Sequence, residues 1–139
     1  MSEDGQDQDK NDFIEFTPEF KNNKNCQPCS MIELISLFKN DEKNNVKTFN
    51  DNNVVKATKD YVYAFNKYGI SENITQIAYS TRRLFADEEF TTIEQTFLVD
   101  LVPSNVDEAF ALIPSLKSKV SPEKMQELLE KLNNEIIIN

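Results

Sequence analysis

The chain has 139 residues, 39% of them hydrophobic, and a formal net charge of −9, which suits one domain with a modest core. It contains no histidine, so the commonest general base and metal ligand is absent, and its two glycines, Gly5 and Gly69, are too few for a phosphate-binding loop. So acidic a chain, whose arginines are Arg82 and Arg83, is repelled by a phosphate backbone unless its lysines cluster, and a protein partner is the better expectation.

Residues 1–12 carry five acids against one lysine and read as a disordered arm. They lack the basic start and apolar stretch of a secretory signal, and no run approaches 18 apolar residues, so a cytosolic or nuclear protein without a membrane span is expected. "FIEFTPEF" follows. Phe13, Phe16 and Phe20 sit in a piece too short and too Pro-interrupted for a helix. Three such side chains either cover the chain's own core or lie on a partner as an added strand.

Ser30 and Glu33 have capping-box spacing, which starts a first helix carrying Ile32, Leu34, Ile35 and Phe38 and ending near residue 39. Residues 40–52, rich in Asn, Asp and Lys, read as a flexible connection. From Asn53, helical spacing links Val54, Thr58, Tyr61, Val62, Phe65 and Tyr68, with Gly69 as a left-handed stop. Tyr61, Phe65 and Tyr68 share this stripe, which predicts core packing; Tyr63 lies off it. Ser71 caps the next helix, whose stripe is Ile74, Ile77, Ala78, Thr81, Leu84 and Phe85. Thr91 and Glu94 repeat the capping box ahead of Ile93, Phe97, Leu98 and Leu101. Asn105 and Glu108 mark another start, followed by Val106, Ala109, Leu112 and Ile113. No alternating strand pattern appears after residue 30.

Pro114 interrupts the last apolar run. Its ring disfavours α conformation at Ile113 and removes an amide donor, so the spacing predicts two short helices around a corner, with Leu116 in the turn. Ser121 caps the final helix, with Pro122 and Glu123 in its first turn and Met125, Leu128, Leu129 and Leu132 along one face. Ile136, Ile137 and Ile138 either dock on the bundle or fray.

Chemistry is sparse. Cys26 and Cys29 form a C-x-x-C without the second ligand pair of a zinc site or the βαβ context of a thioredoxin site. Cys29 precedes a helix start, which would lower its pKa somewhat, yet both read as ordinary reduced thiols. "ADEEF" at 86–90 reads as solvated charge in a loop. Arg82–Arg83 reads as exposed charge at a helix C-terminus, with an acidic surface or RNA phosphate as the sharper alternative. No catalytic residue, metal or cofactor is expected.

The two-helix corner also carries a resemblance. "NVDEAFALIPSLKSKVSPEKMQELLEKL" resembles the C-terminal signature of the fourth-subunit family of eukaryotic RNA polymerase II, where "EA-x-x-LIPSL" precedes a Leu-rich helix. Glu108, Ala109, Leu112, Ile113, Pro114, Ser115 and Leu116 fit it position by position, and Leu101 and Pro103 match the preceding link. "FTPEF" followed by "SMIELISLF" is similar to the family's N-terminal segment and first helix, so the resemblance covers about residues 13–132. The C-x-x-C and the Asn-rich connection depart from it.

The resemblance implies a mainly α fold: a short-helix, HRDC-like bundle over 53–139, preceded by an extended partner-binding segment and helix over 13–39. It implies a non-catalytic nuclear subunit, with the cytoplasm as a second compartment. The subunit would pair with the polymerase's seventh subunit, reach the core through it, and support initiation and later steps near the RNA exit region, with weak or indirect RNA contact. Phe13, Phe16, Phe20, Leu34, Ile35 and Phe38 are the expected partner surface. The alternatives are an HRDC-like nucleic-acid-binding module, using Lys117, Lys119, Lys124 and Lys131, and the equivalent stalk subunit of RNA polymerase III.

Overall fold

The computed structural model describes residues 26–44, 53–69 and 72–137. The acidic arm, Phe13, Phe16, Phe20, Ser71 and Ile138 lie outside the described residues. Among those described there are six α-helices and one 3-10 turn, and no strand. This is the mainly α bundle the periodicities predict.

Helix α1 spans Met31–Lys43. Both halves of its capping box form: Ser30 Oγ accepts from the Glu33 amide at 3.2 Å, and Glu33 Oε1 accepts from the Ser30 amide at 2.9 Å. Ile32, Ile35 and Phe38 face the core. The helix continues four residues past the expected end at 39. Once its earlier turns are packed, exposed Asn and Asp cost little at its end, and Lys43 favours the negative pole of the helix.

Helix α2, Asn53–Phe65, packs on α1, and Lys59 pairs with Glu42 across the seam. Val62 is buried here, and Val55 and Tyr63 are half-buried against the core. The Lys59 ammonium also lies 5.9 Å from the centre of the Tyr63 ring. The helix ends at Phe65, earlier than the stripe suggested, because Asn66 organises the exit. Its Nδ2 donates to the Gly69 carbonyl at 2.6 Å and its Oδ1 accepts from the Tyr68 amide at 3.2 Å. Gly69 supplies the left-handed backbone this turn needs, at φ +76°. Tyr68 therefore swings inward and its hydroxyl donates to the Val99 carbonyl at 2.7 Å.

Helix α3, Ile74–Leu84, begins after Asn73, which makes no side-chain cap bond. It is the spine of the bundle, touching α1, α4 (Thr92–Leu101) and α6 (Pro122–Ile137). Ile74, Ile77, Ala78 and Thr81 point inward, and Phe85 just beyond is fully buried beside Phe90, with ring centroids 6.0 Å apart. Helix α4 starts at the second predicted capping box, complete in both directions, and buries Leu98 and Val99. It ends on Val102, held in the left-handed region at φ 45° with its side chain buried, directly before Pro103. A β-branched residue adopts that backbone at a cost of roughly 1–3 kcal/mol, here offset by the packing around it.

Helix α5, Val106–Leu112, is capped by Asn105, whose Oδ1 accepts from the Glu108 amide at 2.8 Å. Pro114 then ends it as expected. The corner is a 3-10 turn over Pro114–Ser118, and it fully buries Ile113 on one side and Leu116 within it. Each of these side chains contributes about 1.5–3 kcal/mol by leaving water. Helix α6 begins with Ser121 Oγ accepting from the Lys124 amide at 3.2 Å, and Met125, Leu128, Leu129 and Leu132 all enter the core. The helix continues through Ile136, which is half-buried against the bundle, and Ile137.

Candidate protein-binding surface

The apolar stripe on α2 faces the wrong way for its own bundle. Val54, Ala57, Tyr61, Ala64 and Phe65 recur at helical spacing on a side turned away from Val55 and Val62, and all five are exposed. Tyr61 and Phe65 keep 58% and 59% of their surface in water, far more than large aromatics retain when their own fold uses them. The sequence expectation that these two rings pack in the core is thus corrected. The inward face of α2 consists of Val55, Val62 and Tyr63 instead, since α1 is the neighbour it packs against.

The outward face has a definite form. Tyr61 and Phe65 stack at a tilt, with centroids 4.7 Å apart and planes at 37°. Asn53, Val54, Ala57, Thr58 and Tyr61 line a shallow groove beside them. Thr58, the one polar side chain in the middle of the stripe, has its hydroxyl turned back to the Val54 carbonyl at 2.8 Å. At 100° per residue, Val54, Ala57, Thr58, Tyr61, Ala64 and Phe65 cover about a third of the helix circumference without a charge. An exposed helix face is ordinarily polar, so this one is shaped for contact with another apolar surface.

The residues expected from sequence to bind a partner fare differently. Phe13, Phe16 and Phe20 lie outside the described residues. Ile35 and Phe38 are buried in the chain's own core, and Leu34 is half-buried against it, so these three are not a free patch. Leu37, which the stripe logic passed over, is the exposed leucine of α1.

Arg82 is neither simple exposed charge nor an open phosphate ligand. Its guanidinium donates to Glu33 Oε1 at 2.5 Å and Oε2 at 3.2 Å, to the Pro28 and Thr92 carbonyls at 3.3 Å each, and to Thr96 Oγ1 at 3.1 Å. Burial pushes the Glu33 carboxyl up, but hydrogen bonds from Arg82 and Ser30 outweigh it and hold the group below the usual carboxylate range. Arg83 is exposed, 5.9 Å from the centre of the Tyr79 ring.

Asp100 accepts from the Met31 amide at 2.8 Å, and burial, aided by the Glu33 charge, raises its pKa to about 6. Cys29 also departs from expectation. Desolvation and then the Glu33 carboxylate push its thiol up, outweighing the Arg82 charge that lowers it. That direction disfavours a reactive thiolate. Among the described residues no group of three potential ligands is placed to hold a metal.

The family-signature residues act in packing. Ala109, Ile113, Leu116 and Pro103 are buried, Leu101 is half-buried, and Glu108, Leu112 and Pro114 are exposed. Ser115 donates to Glu94 Oε2, and Lys119 Nζ pairs with Glu94 Oε1 at 2.6 Å, so the cap of α4 also holds the corner. Burial raises the Glu94 pKa, but bonds from Lys119, Ser115 and the Thr91 amide lower it below the usual range. Lys124 pairs with Glu88 and Glu127 at 3.7 Å and Lys131 with Glu127 at 3.1 Å. Three of the four lysines of the nucleic-acid alternative are thus neutralised by carboxylates, which weakens that field.

Comparison with known proteins points the same way as the corner. The model of the family RNA polymerase Rpb4 matches residues 4–135. The chain is also similar to the DNA-directed RNA polymerase II subunit rpb4 of Dictyostelium discoideum, at 31% identity over 101 residues. That match takes in 73% of this chain and 58% of the relative, so it spans less than two thirds of the relative's length.

Proposed function

The chain belongs to the RNA polymerase Rpb4 family, and from that premise we propose that it is a non-catalytic nuclear subunit of RNA polymerase II, paired with the seventh subunit as the stalk. In this role it reaches the polymerase core through that partner, near the RNA exit region, and supports initiation and later steps. The observation that carries the reading is the outward apolar stripe of α2, a surface suited to a protein and lacking the charge that RNA would require. The partner-binding surface is Phe13, Phe16 and Phe20 together with Tyr61 and Phe65, with the half-buried Leu34 at its edge. Ile35 and Phe38 support it from within the core.

Aromatic anchors at the centre of an interface each contribute about 2 kcal/mol or more. Tyr61→Ser with Phe65→Ser should therefore weaken partner binding at least about 100-fold while leaving the bundle folded. The test is mass spectrometry of what co-purifies with the tagged chain, followed by the affinity of the double variant for the partner found. Recovery of no polymerase subunit would sink the functional reading. Recovery with unchanged affinity in the double variant would sink the surface assignment alone.

A further inference from the structure

We propose that Ser121 is a phosphorylation site for a proline-directed protein kinase, and that its phosphate caps helix α6 more firmly than the hydroxyl does. The kinase transfers the γ-phosphoryl group of magnesium-bound ATP to Ser121 Oγ. A P–Oγ bond forms, the bond from the γ-phosphorus to its bridging oxygen breaks, ADP leaves, and the hydroxyl proton passes to a carboxylate base on the kinase. The site draws on neither the outer stripe of α2 nor the identity of the partner.

The first support is the sequence around the hydroxyl. Of the five prolines, only Pro122 follows a serine, and Lys124 stands three residues after that serine. A kinase cleft with no acceptor for the amide after the serine penalises every residue except proline, which has no N–H to leave unsatisfied. A cation two places further on adds charge complementarity to the same recognition. The other hydroxyl before a proline, Thr17, has Phe20 at that place.

The second support is access. Ser121, Pro122 and Glu123 are all exposed, and residues 119–121 lie outside both the 3-10 turn and α6. Two bonds close the first turn on Ser121: its Oγ accepts from the Lys124 amide at 3.2 Å, and its carbonyl accepts from the Met125 amide at 2.9 Å. Pro122 has no amide hydrogen to add to them. Helix ends fray, so opening this one turn presents an extended Ser-Pro-Glu-Lys stretch at small cost. Leu128, Leu129 and Leu132 keep the rest of α6 seated in the core meanwhile.

The third support is what the phosphate meets once attached. At the cap position it faces the first amides of a 16-residue helix and the positive pole of its dipole. The Lys124 ammonium lies one turn in and is held only at 3.7 Å by Glu88 and Glu127, so it can turn to the phosphate. Lys119, by contrast, stays on the buried Glu94 carboxylate at 2.6 Å. Glu123 is the acid of the first turn and opposes the new charge, but it is exposed and screened. The modification therefore adds negative charge without displacing a buried group.

The test is reaction of the folded full chain with a cyclin-dependent kinase and magnesium ATP, in a Thr17→Ala background that leaves one hydroxyl before a proline. Intact mass should show a single phosphate, and peptide mapping should place it on Ser121. Pro122→Ala keeps the serine and its cap yet should abolish incorporation, and Lys124→Gln should slow it several-fold. In the phosphorylated chain the Glu123 and Lys124 amide protons should move downfield and the first turn of α6 should exchange more slowly, with phosphatase reversing both. No incorporation, from a kinase that does phosphorylate a peptide of residues 117–126, overturns the site. So does undiminished incorporation in Pro122→Ala. Faster exchange along α6 after phosphorylation overturns the capping. No polymerase subunit enters the reaction, so failure leaves the polymerase reading untouched.

Discussion

Arg82→Met isolates what the guanidinium contributes, because methionine keeps much of the apolar stem while removing every donor. The wild-type group satisfies both oxygens of Glu33, two backbone carbonyls and the Thr96 hydroxyl. Loss of the charged bonds to Glu33 leaves a half-buried carboxylate that retains its Ser30 contacts. The Arg82 and Glu33 side chains keep 24% and 27% of their surface in water, so the deep-burial penalty does not apply in full. Charge-assisted bonds contribute about 1.5–3 kcal/mol and neutral ones less, which gives an expected loss of about 2–3 kcal/mol. Urea unfolding of the full chain at pH 7 reads it, and a cycle with Glu33→Gln should return a coupling of about 1–2 kcal/mol. The pH sign follows from the depressed Glu33 pKa. Its share of stability is full above the ordinary carboxylate range and is lost as pH falls through its lowered folded value. A loss below about 0.5 kcal/mol, or additive behaviour in the cycle, would show that Arg82 is an ordinary surface charge.

Three further outcomes are expected. Leu116→Ala should cost about 3–5 kcal/mol in chemical denaturation, since the side chain is fully buried at a corner fixed on both sides. Ser121→Ala should cost about 1 kcal/mol, the usual effect of losing an N-cap acceptor. Asp100→Asn should stabilise the chain at pH 7 by about 1–2 kcal/mol after allowance for solvent screening, because Asn can still accept from the Met31 amide. With a folded pKa of about 6 against 3.8, the wild-type group lowers stability as pH rises between those values. The variant should lose that slope, and a pH series of urea midpoints would show whether it does.

Local signals gave the helix starts well. The Ser30 and Thr91 boxes, the Asn105 and Ser121 caps and the Pro114 corner are short-range rules, and each has the partner its spacing implies. Tyr61 and Phe65 show the limit. Periodicity identifies one apolar face on α2 but carries no sign saying which way it turns. Val55 and Val62 were a second, smaller inward face, and packing on α1 selected it. The position of Tyr68 past a helix break, set by Asn66, also fell outside a simple helical stripe. Arg82 was hidden for a different reason. Its partners Pro28, Glu33, Thr92 and Thr96 are scattered along the chain, and no spacing rule connects them.

The Glu94 carboxylate has a consequence for how the bundle opens. It caps α4 through Thr91 while holding Ser115 and Lys119, which lie 21 and 25 residues further along the chain. Fraying of α4 at its start would strand a buried carboxylate, and lifting the corner away would do the same. Neither element can be released cheaply on its own, so the two form one cooperative opening unit. Amides of α4 and of the Pro114–Ser118 turn should exchange with solvent at a shared free energy, whereas α2, which rests chiefly on α1, opens at a lower one.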